Sequence, residues 1–130
     1  MGFTIFRTVM TIAICCFLIV LFLLPSAFLD RFCAEADALI DRAETSLLKG
    51  DPASALPGCE ALSRLVRERM PALERFLNHA DIDDLDAAAA VADRAARAGE
   101  AGAAAEALAE ARSILVRIRG IEHFSWNNLL

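Results

Sequence analysis

Residues 8–29 read TVMTIAICCFLIVLFLLPSAFL, 22 positions without a single charge. As a helix that stretch is about 33 Å long, against a hydrocarbon core of about 30 Å. Val9, Ile12, Ile14, Phe17, Leu18, Ile19, Val20, Leu21, Phe22, Leu23 and Leu24 surround the helix on every side. That is the lipid-facing pattern; a helix lying on a protein surface carries one apolar face. Phe3, Phe6, Phe28 and Phe32 flank the run where aromatics gather near headgroups. Pro25 stands near its far end, where a kink or break is tolerated.

A cleaved signal peptide fits this stretch less well. Cleavage after Ala27 places Pro25 where a small residue is required, and Ala34-Glu35-Ala36 lies beyond a charged segment. Neither Cys15 nor Cys16 follows the small residue of a lipoprotein signal. Residues 1–29 are therefore read as a retained transmembrane signal anchor. Arg7 on one side and Arg31 with Arg42 on the other nearly balance, so charge alone does not orient it. A short N-terminal tail ordinarily stays in the cytoplasm, which puts residues 30–130 outside.

Composition agrees with this division. The chain has 130 residues, 57% of them hydrophobic and 24% charged, with a mean hydropathy of +0.46. Those values coexist because the apolar residues are concentrated. Residues 30–130 hold all 18 acids and 12 of the 13 bases, a net charge of −6. A basic-faced nucleic-acid binder, a two-lobed enzyme and a disulfide-framework toxin all fit poorly.

Beyond residue 30 the apolar spacing is helical throughout, and nothing alternates as a strand does. The fold expected is all-α: a transmembrane helix, an antiparallel helical-hairpin bundle of about four helices over 30–120, and an apolar tail over 121–130. A first helix, about 30–49, presents Phe32, Ala36, Leu39, Ile40, Ala43 and Leu47. Gly50 ends it, and Asp51-Pro52 caps a second, about 52–78, lined by Cys59, Leu62, Leu65, Val66, Leu73, Phe76 and Leu77. Pro57 and Pro71 should bend or break that second helix. A third turns Ile82, Leu85, Ala89, Ala92 and Ala96 inward and closes at Gly99. A fourth, about 101–119, offers Ala104, Leu108, Ala111, Leu115 and Ile118, with Gly120 behind it.

Between residues 87 and 111, 15 of 25 positions are alanine, so the second hairpin buries little area for its length. Lys49-Gly50-Asp51-Pro52 is answered 49 residues on by Ala98-Gly99-Glu100-Ala101. The turns look like those of tetratricopeptide units, but the offset differs from that family's 34 residues. One turn solution used twice is the better reading. In such a hairpin Cys33 faces residues near 70, which leaves Cys33 and Cys59 too far apart to bridge; both are expected as free thiols.

Two segments then resemble a known family. Asn78-His79-Ala80-Asp81-Ile82-Asp83-Asp84-Leu85-Asp86 resembles the D-H-x-E-I-D-D-I stretch of the bacterial family called domain of unknown function 4363. The ending, Ile121-Glu122-His123-Phe124-Ser125-Trp126-Asn127-Asn128-Leu129-Leu130, resembles its closing E-x-x-S-x-x-N-I-L. The resemblance implies a short N-tail, one membrane helix and helices to the end. It also implies a bacterial cell membrane and a multi-pass membrane protein of another uncharacterised family as partner. It supplies no chemistry. Alanine replaces many long side chains of the family, and Pro57 and Pro71 are departures from its second helix.

For chemistry, the cluster His79, Asp81, Asp83, Asp84 and Asp86 is the one constellation that resembles a metal site. An EF-hand starting at Asp81 fails at Leu85, Asp86 and Ala92, and zinc lacks enough ligands at tight spacing. Capping and dipole compensation at the start of the third helix explain the aspartates. No nucleophile stands beside His79 or His123, and there is no phosphate loop, so no catalytic residue, metal or cofactor is assigned. The arginines are read as a solvated mixed-charge face, with Arg64, Arg67, Arg69 and Arg75 as the alternative contact for a membrane or acidic partner. Phe124, Trp126, Asn128, Leu129 and Leu130 are the candidate partner-binding residues, or else a plug for the bundle. The function expected is non-catalytic: an accessory or scaffold subunit for a membrane protein. The alternative is a sensor binding a small ligand or lipid between alanine-lined hairpins.

Overall fold

The computed structural model describes residues 1–129, the side chains of residues 121–129 excepted. It contains four helices: α1 (Gly2–Leu48), α2 (Pro52–Leu73), α3 (His79–Arg97) and α4 (Ala101–Leu129). The all-α architecture stands. The anchor and the first bundle helix, expected as separate pieces, are one 47-residue helix with Pro25 inside it. Pro25 removes one backbone donor, toward Leu21, and the surrounding hydrogen bonds hold the helix through that gap.

The two halves of α1 have opposite surroundings. From Val9 to Leu24 every large apolar side chain is 46–62% exposed. From Leu29 onward Phe32, Cys33, Ala36, Ile40 and Ala43 are buried in the bundle. Each helix packs on the next in sequence, and α4 returns against α1 to close the ring. The core comprises those α1 residues with Cys59, Leu62, Val66 and Leu73 of α2, Ile82 and Leu85 of α3, and Leu108, Leu115 and Ile118 of α4. Ala88, Ala89, Ala92, Ala95 and Ala96 meet Ala104, Ala107 and Ala111 in the same core, each at most 6% exposed. The alanine seam is therefore shut.

The two hairpin turns share one geometry. Lys49 and Ala98 both have φ −77°, and Gly50 and Gly99 follow at φ 77° and 74°. Gly50 N–H donates to Leu47 and Asp51 N–H to Ser46; Gly99 donates to Ala96 and Glu100 to Ala95. This is the Schellman closure, in which a left-handed residue lets two amides satisfy the last carbonyls of the helix. Asp51 then caps α2 by accepting from Ser54.

Three expectations are corrected. α2 ends at Leu73 and not near 78: the chain tightens into i to i+3 bonds, Arg75 to Ala72 and Phe76 to Leu73, before Asn78 turns extended to cap α3. Phe76, assigned to the core, is consequently 53% exposed in that connection. Neither proline breaks α2, since Pro57 and Pro71 lie inside it, near its two ends. Third, Gly120 does not end α4, which runs helical to Leu129. A mid-helix glycine costs about 1 kcal/mol against alanine, too little to stop a helix unaided.

Candidate functional site

The register of α2 on α1 follows from three contacts. A Cβ built on Gly58 would stand 3.3 Å from the Ala43 Cβ and 3.4 Å from the Leu39 carbonyl oxygen, so glycine permits this close crossing. One end further down, Arg69 lies 3.9 Å from Glu35 and 5.8 Å above the Phe28 ring. Antiparallel helices advance together, so Leu73 and the α2–α3 connection stand level with the last apolar turns of the exposed stretch. The foot of the bundle thus begins where the apolar stem ends.

At that junction Leu24, Ala27, Phe28, Arg31, Phe32, Glu35 and Arg69 line an open groove of about 500 Å³. Its floor is apolar. Its rim carries two guanidinium groups and one carboxylate. Glu35 is beyond hydrogen-bonding distance of Arg69, and neither Arg31 nor Arg69 donates a hydrogen bond to a described residue. Arg69 was among the alternative contact residues in the sequence; Arg31 and Phe28 were not grouped with it. The signal available was hairpin counting from Gly50, which brings residue 69 alongside residues 28–35.

The acidic cluster lines none of this groove, and the capping and dipole compensation expected of it are met in part, with Asp81 in the first turn of α3 and the cap itself supplied by Asn78. Asn78 is the cap of α3, accepting from Ala80 at 3.0 Å. Of the aspartates only Asp81 lies in the first turn. Asp81 and Asp84 reach Arg117 of α4 at 3.2 and 3.6 Å, and Asp86 stands 3.8 Å from Arg67 of α2. His79 is 3.9 Å from Glu74, and Asp83 is exposed. Among the described residues no three His, Cys, Asp or Glu side chains gather at metal-binding spacing.

Three further arginines are also clips between helices. Arg112 joins α4 to α1 through Asp41 at 2.5 Å and Glu44 at 2.8 Å. Arg119 repeats the connection at Asp37, 2.6 Å away, and Arg97 ties α3 to Glu60 of α2 at 2.7 Å. These ladders run along the outside of the alanine-rich half, where apolar burial is least. Such partly exposed pairs each contribute about 0.2–1 kcal/mol.

Cys33 and Cys59 are buried free thiols, as expected from the hairpin spacing. Burial pushes the Cys59 thiol up to about 11, helped by the charge of Asp93. Burial also raises Cys33, with Arg119 pulling the other way. Both are therefore poor nucleophiles at neutral pH.

At the opposite end, Glu44, Leu47, Leu48, Ala101, Gly102 and Ala105 line a shallow apolar groove of about 420 Å³. This groove lies between the two hairpins, where the sequence places the alternative site for a small ligand or lipid, and Ala101 and Ala105 line it; the alanines of the α3–α4 seam are buried. The candidate partner-binding residues Phe124, Trp126, Asn128, Leu129 and Leu130 lie outside the described residues.

No curated protein and no solved structure matches the chain. A family does: its sequence pattern matches residues 24–129, from the last turns of the apolar stretch through all four helices. The chain belongs to the family described as domain of unknown function (DUF4363).

Proposed function

We propose that this protein is a single-pass, N-terminally anchored accessory or scaffold subunit, whose helical bundle is held outside the cytoplasm against a membrane protein partner. The observation that carries the reading is α1: an apolar, outward-facing half long enough to cross a bilayer continues without interruption into the bundle. Among the described residues it is the one helix with that length and composition. A buried core helix passes the same test of length, but it would not leave its large side chains about half exposed. Confinement to a plane raises the effective concentration of a partner, so modest contacts suffice. The reading is non-catalytic because Arg67, Arg97, Arg112, Arg117 and Arg119 are engaged as clips between helices and Cys33 and Cys59 are buried and protonated.

The test uses the full chain expressed in a bacterial membrane. Carbonate-resistant, full-length protein whose bundle is digested by external protease supports the anchor. A shortened, carbonate-soluble product means that residues 8–29 are a signal peptide and ends it. In-membrane crosslinking then tests the scaffold role: a stoichiometric membrane-protein partner lost on deletion of residues 124–130 supports it, and recovery of self-adducts alone overturns it.

A further inference from the structure

We propose that the groove at the foot of the bundle seats the phosphate headgroup of a phospholipid, with Arg31 and Arg69 as its donors and Leu24, Ala27 and Phe28 under the start of its acyl chain. This rests on the anchor reading, which puts those three apolar residues at the edge of the hydrocarbon. The groove's lower wall is the last turn of the apolar stretch itself, so whatever surrounds that turn fills the groove. In a bilayer that is lipid. Headgroup level is also where a phosphate meets arginine.

The chemistry of the rim fits a phosphodiester. A guanidinium offers five N–H donors in a planar fork that matches phosphate oxygens. Those of Arg31 and Arg69 are not engaged by any described carboxylate or carbonyl at hydrogen-bonding distance. Arg69 is fixed over the Phe28 ring at 5.8 Å, which orients its fork without consuming its donors. Glu35 stands 3.9 Å away with its side chain 45% exposed, free to turn to solvent when an anion arrives. The bulk of the bundle is acidic, so the seat is a local reversal of sign on a domain that otherwise repels an anionic surface. That reversal limits the contact to one lipid and sets the height of the bundle above the membrane.

The test is native mass spectrometry of the full chain in detergent, titrated with phosphatidylglycerol. Detergent removes any need for membrane insertion, so failure here is distinct from failure of the anchor in carbonate extraction. The wild type should retain one lipid, and affinity should fall about fivefold for each of Arg31→Gln and Arg69→Gln. Arg94→Gln, an equal charge change on the outside of α3, should leave it unaltered. Far-UV melting of each variant reports folding, and the single variants, one on an exposed position, keep the test alive where the double variant fails to fold. The proposal is overturned by no retained lipid in the wild type, by equal weakening in R94Q, or by equal retention of diacylglycerol, which lacks the phosphate. Displacement by excess inorganic phosphate, with no dependence on the acyl chain, would make the site a free-anion site and not a lipid seat.

Discussion

Two glycines of the second hairpin should respond in opposite directions to the same substitution. Gly99 has φ 74° and closes α3, whereas Gly120 lies within α4 at an exposed position. Among the described residues a Cβ meets no atom within 4 Å at either site, so packing against them does not separate the two and backbone conformation does. Gly99→Ala forces an L-residue into the left-handed region, at a cost of about 1–2 kcal/mol. Gly120→Ala removes the helix penalty of glycine and gains about 0.8–1.0 kcal/mol. The two variants should differ by about 2–3 kcal/mol. For a bundle of this size each kcal/mol moves the melting temperature by about 4–8 °C. Thermal unfolding of the full chain in detergent, followed at 222 nm, should therefore place G99A below wild type and G120A above it by several degrees each. If G120A lowers the melting temperature, α4 does not run through Gly120. A neutral G99A would refute the Schellman closure.

Other expectations follow from the same contacts. Leu115→Ala, at a fully buried position, should cost about 2–5 kcal/mol in denaturant unfolding. A double-mutant cycle of Arg112→Ala with Asp41→Ala should give a coupling of about 0.5–1 kcal/mol that shrinks with added salt. Asn78→Ala should cost about 1 kcal/mol through loss of the α3 cap, read from the same melts. The Cys59 thiol has its folded value raised from 9.0 to about 11, so the native state holds its proton after the unfolded chain has lost it. Its contribution is complete below about pH 9 and is lost as pH rises toward 11, so unfolding midpoints should fall across that window less in Cys59→Ala than in wild type.

The features readable from sequence are those written into neighbouring residues. Gly50 and Gly99 with their flanking residues carry the turn by themselves, and the apolar spacing of Ile82, Leu85, Ala89 and Ala92 fixes which face of α3 turns inward. The arginine clips were not legible because their partners are remote. Arg112 has Asp41 and Glu44 about 70 positions away, while helix-surface patterns reveal only partners three or four residues distant. Phe76 misled because apolar spacing continues past Pro71, although the backbone has already turned toward the Asn78 cap. Gly120 misled because glycine marks a helix end only where the chain uses its left-handed freedom. The groove at the foot of the bundle needed the register of α2 on α1, and that register depends on how closely Gly58 lets the helices cross.

The unbroken course of α1 also fixes an angle. In a single helix each residue turns the chain by 100°, so, on the anchor reading proposed above, the side of the bundle that looks along the membrane is set by the number of residues between span and core. Inserting one alanine after Ser26 would swing the bundle by about 100° while lifting it only about 1.5 Å. Four added alanines would bring it back to within about 40° of its first heading, some 6 Å higher. For a partner beside that proposed span, the bundle would be the hand of a clock, with the helix keeping the hour.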